Sequence, residues 1–80
     1  MESMALKEEI RRRRRLIGLT QIDLAHSLGV GVSTVARWEK GFTEPKLHHL
    51  KALAELFKVT EQELMYPKGE GEVRQLSLAI

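Results

Sequence analysis

Ser33, Ala36, Arg37 and Lys40 recur at i, i+3, i+4 and i+7, the spacing that places side chains on one face of an α-helix. That face is small at one end and cationic at the other, a shape that enters a groove of duplex DNA without a clash. Val35 and Trp38, three apart, share a different, apolar face of the same segment. No other residues offer a competing chemistry. The serines lie in helical segments or in the tail, without the base and orienting group that activate a nucleophile. His26, His48 and His49 read as surface residues, because neighbouring His48 and His49 point about 100° apart on a helix. No acidic or thiol ligand stands at i+4 from any of them. Neither an enzyme, a metal site nor a cofactor is expected.

The elements that must hold that face are short. The basic helix spans roughly Val32 to Lys40, and another helix precedes it from roughly Gln21 to Leu28. Thr20 with Asp23 three residues on reads as a capping box, and Leu24, Ala25 and Leu28 form an inner stripe. Ala25 is the smallest residue of that stripe and lets the next helix cross closely. Gly29 follows Leu28, where helices commonly end in the left-handed region. Helix, glycine turn and helix make a helix-turn-helix.

Upstream, a helix from about residue 5 to 17 carries Leu6, Ile10 and Ile17 on one stripe, with Arg14 among them. The run Arg11–Arg15 points all round that helix, so it cannot act as one patch. Arg11, Arg12, Arg13 and Arg15 read as a solvated, DNA-proximal face rather than a localisation signal. Downstream, Pro45 resets the backbone. A helix over about 46–57 buries Leu47, Leu50, Leu53, Ala54 and Phe57. Thr60 and Glu63 form a second capping box, with Val59 and Leu64 as its hydrophobic staple, opening a short helix to about Met65.

Eighty residues make one small domain, here 5–66, with a tail over 67–80. Net charge is only +2, so its distribution carries more weight than its size. The absence of cysteine points to a reducing cytoplasm. No apolar run approaches a membrane span, and the N-terminus lacks a signal-peptide core. In the tail, Leu76, Leu78 and Ile80 alternate with polar residues in the period of a short strand, which is unstable alone. It pairs with its copy, docks on the domain, receives a protein partner, or stays disordered; pairing or docking is the favoured reading.

Arg14, GLTQIDLAHSLGV (Gly18–Val30), STVARWEKG (Ser33–Gly41), Pro45 and LKALAELFKVTEQELM (Leu50–Met65) together resemble the Cro/C1-type (XRE) helix-turn-helix family. The likeness covers Leu6 to Met65, in that family's order and spacing. It implies an all-α, five-helix, lambda-repressor-like fold. It also implies an ion pair between Arg14 and Glu39, with a phosphate contact by Arg14 as the other reading. By the same resemblance, Thr20 and Gln21 contact the DNA backbone at one helix start, and Lys40, Gly41, Phe42 and Thr43 grip it after the recognition helix. Val32, Ser33, Thr34 and Arg37 fall where bases are read. Arg37 suits guanine O6 and N7, a pairing worth about 1–3 kcal/mol of discrimination. Val32 either touches a thymine methyl or simply opens the helix, and Ser33 and Thr34 either read bases or cap the first turn. Trp38 reads as core. Gly31 and Lys46 stand where the family usually has a small capping residue.

The function implied is a bacterial, sequence-specific regulator of double-stranded DNA. It would be a repressor, acting as a homodimer on an inverted repeat through the major groove. The alternative, from another class, is an antitoxin-like interaction module whose tail binds a partner protein. A third reading is the DNA-binding half of a longer regulator.

Overall fold

Helix boundaries fall where the chain supplies caps. The computed structural model describes residues 6–66, which form α1 (Leu6–Leu16), α2 (Gln21–Leu28), α3 (Val32–Lys40), α4 (Leu47–Phe57) and α5 (Glu61–Met65). Thr20 Oγ1 accepts the Asp23 N–H at 3.0 Å, and Asp23 Oδ2 accepts the Thr20 N–H at 2.9 Å, closing a capping box ahead of α2. Thr60 and Glu63 repeat this arrangement ahead of α5. Gly29 (φ +71°) and Gly41 (φ +80°) end α2 and α3 in the left-handed region, where a Cβ costs about 1–2 kcal/mol. Gly31 caps α3 with no side-chain bond, yet its carbonyl accepts the Thr34 and Val35 N–H groups at 3.0 and 3.4 Å. The helix therefore starts at Val32, and neither Ser33 nor Thr34 caps it.

Each helix contributes an apolar stripe to a common core. Ile10 of α1, Leu24 of α2, Val35 and Trp38 of α3, Leu53 of α4 and Leu64 of α5 are all buried in it. Burying a large aliphatic side chain contributes about 1.5–3 kcal/mol, so these few residues supply most of what orders the chain. α3 packs between α1 and α2, while α5 closes the bundle against α1 and α4. Val59 packs against the same core that buries Leu64.

Three sequence readings change. Ile17 is 46% exposed, because α1 ends at Leu16 and the stripe loses its phase in the turn. Leu47 is 61% exposed, because it occupies the first residue of α4, before that helix meets the core. His49 is half-buried rather than on the surface, its ring centroid 5.3 Å from that of Trp38. It directly precedes Leu50 and stands four before Leu53, so it borders the buried stripe. The strand expected in the tail lies outside the described residues. Among the described residues there is no strand, and no helix is long and apolar enough to cross a membrane.

Candidate nucleic-acid interface

α3 has two unlike faces because its sequence alternates what packs with what does not. Val35, Trp38 and Glu39 are buried, pinning the helix against α1 and α2. Val32, Ser33, Arg37 and Lys40 are exposed on the other side, with Thr34 and Ala36 half-buried at its margins. The Arg37 side chain makes no hydrogen bond or ion pair with any described residue, so its guanidinium is free for an external acceptor. Lys40 Nζ sits 5.9 Å from the Phe42 ring centroid, within cation–π range.

Glu39 anchors the inner side of α3. Its Oε2 accepts from Arg14 Nε at 2.6 Å, and its Oε1 accepts from Arg14 Nη2 at 3.1 Å. Gln21 Nε2 donates to the same Oε1 at 3.0 Å, and Arg11 Nε reaches it at 3.4 Å. Arg14 Nη1 donates to the Leu19 carbonyl at 2.8 Å. Burial pushes the Glu39 carboxyl up, but the Arg14 and Gln21 hydrogen bonds outweigh it and hold the group below its ordinary value. The result is an ionised carboxylate joining α1, α2 and α3. Arg14 faces this carboxylate rather than open solvent.

The backbone-contact candidates divide by what their groups are already doing. Thr20 is engaged in its capping box, and the Gln21 side chain is held by Glu39. The N–H groups of Gln21 and Ile22 have no acceptor among the described residues, so the start of α2 offers donors at the positive end of its dipole. After α3, the Gly41 N–H is bonded to the Trp38 carbonyl at 3.1 Å, and the Phe42 N–H to the Arg37 carbonyl at 2.9 Å. Those two amides close the helix and are not free to grip a phosphate. Lys40 and Thr43 present exposed side chains, and the Phe42 ring is 73% exposed.

Sequence reading missed a second carboxylate. Glu9 is fully buried, and Arg12 Nε and Nη2 donate to it at 3.0 and 2.8 Å, joined by Arg13 Nε. Burial raises its pKa, but the Arg12 and Arg13 bonds win and leave it below its ordinary value. The spacing was a signal: Arg12 and Arg13 stand three and four residues after Glu9, on its own helical face. Arg12 stays exposed, as the solvated reading expects, and Arg13 is half-buried, while both clamp Glu9, so the arginine run is divided by function. No group of three His, Cys, Asp or Glu among the described residues is arranged to hold a metal ion.

A two-faced helix crossing a shorter one after a left-handed glycine turn has counterparts among known proteins. The helix-turn-helix family model matches residues 10–64. The chain belongs to the Cro/C1-type (XRE) helix-turn-helix family, a family of DNA-binding transcription regulators. The transcriptional activator BcrR of Enterococcus faecalis is 34% identical over 62 residues, 78% of this chain. The chain spans 30% of that relative's length. The P22 c2 repressor bound to a synthetic operator superposes with a TM-score of 0.74 at 28% identity, over 79% of this chain and 96% of the repressor. The restriction-modification controller protein C.AhdI of Aeromonas hydrophila superposes with a TM-score of 0.69 at 28% identity, over 75% of this chain and 91% of C.AhdI.

Proposed function

We propose that this member of the family is a non-catalytic, sequence-specific repressor that binds an inverted-repeat operator as a homodimer. The observation that carries the proposal is α3. Its exposed side holds Val32, Ser33 and an unpaired Arg37, while Glu39, Val35 and Trp38 fix its other side so that those groups are pre-positioned. α3 lies in the major groove and reads bases through Val32, Ser33, Thr34 and Arg37. The start of α2, at Thr20 and Gln21, holds one phosphate strand, while Lys40 and Thr43 hold the other. One such helix covers few base pairs, so two-fold pairing, with half-sites about one helical turn apart, supplies the remaining contacts. The likeness to a repressor solved with its operator supports the direction of regulation. Such a protein works in the cytoplasm, where duplex DNA is accessible.

Selection from a random duplex pool at near-physiological salt tests this directly. Enrichment of an inverted repeat supports the dimeric reader. Enrichment of a single asymmetric half-site overturns the dimer, and salt-sensitive but sequence-blind binding overturns the readout role of α3. A reporter placed behind the selected site then distinguishes repression from activation.

A further inference from the structure

His49 carries a buried polar atom that the DNA-binding reading does not use. Its Nδ1 is enclosed and has no hydrogen-bond partner among the described residues. The ring centroid stands 5.3 Å from that of Trp38, tilted by 52°, and 4.0 Å from that of His48. Trp38 is buried, and in sequence it lies between Arg37 on the outer face of α3 and Glu39 on the inner one. The His49 ring is thus a joint between α4 and the helix that presents Arg37. Its electrostatic surroundings are one-sided. Burial first, then His48 and Lys46, hold its pKa below the ordinary value. Acids on the surrounding elements do not offset this. Glu39 of α3 is bonded to Arg14 and Gln21, Asp23 of α2 to the Thr20 N–H, and Glu63 of α5 to the Thr60 N–H. His26 of α2 acts on Asp23. Glu44, Glu55 and Glu61 make no interaction with the ring.

We propose that His49 is a pH-sensitive latch on the recognition helix: the neutral ring packs on Trp38 and holds α3 in its DNA-binding position, and the protonated ring releases it. The latch rests on the DNA-binding reading above and adds a regulation to it. A proton on the ring makes both nitrogens donors, and the buried Nδ1 has no acceptor to meet. The new charge also faces His48 and Lys46 and gains no carboxylate. An unpaired charge is costly to bury, so the imidazolium leaves Trp38 for solvent. Trp38 then loses its cover from α4, and α3 loses a contact that sets the position of Arg37. Duplex binding favours the packed ring and so expels the proton. The sign is distinctive. Protonating exposed histidines such as His26 and His48 adds positive charge and strengthens duplex binding in acid, whereas the latch weakens it.

The test follows the full chain from about pH 8 to about pH 5 at constant ionic strength. It reads affinity for the selected duplex, helical content by circular dichroism, and the emission of Trp38, the single tryptophan. A charged imidazolium beside an indole quenches its emission. Affinity should fall in acid by up to about tenfold per pH unit, the limit for one proton. Trp38 emission should change with the same midpoint, below 6.5, while helical content holds. His49→Gln should remove the emission change and leave affinity level or rising in acid. His48→Gln should keep both changes and move their midpoint upward, because a like charge is gone. An affinity that is level or rises in acid in the unmodified chain overturns the latch. So does a fall that persists in His49→Gln, or one that tracks a loss of helix. His48→Gln leaves the His49 ring in place, so it stays decisive even if His49→Gln folds poorly. A midpoint that it leaves unmoved assigns the proton to another group and overturns the latch too. Failure of the unmodified chain to bind any duplex at neutral pH would instead overturn the DNA-binding reading itself.

Discussion

Gln21 Nε2 donates to Glu39 Oε1 at 3.0 Å, so the first residue of α2 is tied to the buried side of α3. Together with Arg14, this bond fixes the angle at which the outer face of α3 is presented. Removing one partner of a buried pair costs about 3–5 kcal/mol, because the other charge is left without compensation. Glu39→Ala should approach that loss in chemical denaturation. Arg14→Ala should cost less, since Glu39 still holds Gln21 and Arg11. Equal losses would show that those two donors do not support the carboxylate.

Stability should fall with acid in two stages. Burial first, then nearby His48 and Lys46, pull the His49 pKa below 6.5, so the unfolded chain binds that proton first. Stability is thus complete above 6.5 and declines as pH drops through the lower folded value. Glu9 and Glu39 titrate below 4.5, so their contribution is complete above 4.5 and is lost as pH falls through their depressed folded values. Melting curves across pH should lose the first stage in His49→Leu and part of the second in Glu9→Gln. A first stage that survives in His49→Leu assigns that proton to another group.

Arg37→Ala should separate recognition from folding. Its side chain has no partner among the described residues, so the denaturation midpoint should hold. Discrimination between the selected site and a single-base variant should shrink by about 1–3 kcal/mol. Unaltered preference would remove Arg37 from base readout.

Gly29→Ala and Gly41→Ala should each cost about 1–2 kcal/mol for the left-handed backbone. Nothing lies within 4 Å of a Cβ at Gly29, whereas one at Gly41 must displace Lys7. Gly41→Ala should therefore cost more than Gly29→Ala in chemical denaturation. Equal losses would show that the Lys7 side chain moves aside freely.

Gly31→Ser should stabilise the chain. Gly31 caps α3 at φ −78°, a conformation open to any residue, and the nearest atom to an added Cβ is Ser33 Oγ at 3.9 Å. A serine there supplies the missing cap and a less flexible unfolded chain, together worth about 0.5–1 kcal/mol. A lower melting temperature would show that the α3 start needs glycine for another reason.

Local signals made the helices legible. Thr20 with Asp23, Thr60 with Glu63, and the glycine after Leu28 act within one helical turn, so their geometry is written in neighbouring residues. The stripe through Leu24, Val35 and Leu53 was equally readable, because burial imposes the helical period on the sequence. Ile17 and Leu47 misled for the converse reason: they keep the period but fall at the helix ends, where no partner element covers them. The Arg14–Glu39 pairing came only from family resemblance, since residues 25 apart meet only through the crossing of α1 and α3. Tertiary structure alone decided which arginines meet Glu39. Arg12 and Arg13 meet Glu9 within one turn of α1, whereas Arg11 and Arg14 reach Glu39 only because α3 crosses α1 there. A buried carboxylate must find donors, and sequence spacing cannot show that Arg11 and Gln21 arrive at the same oxygen.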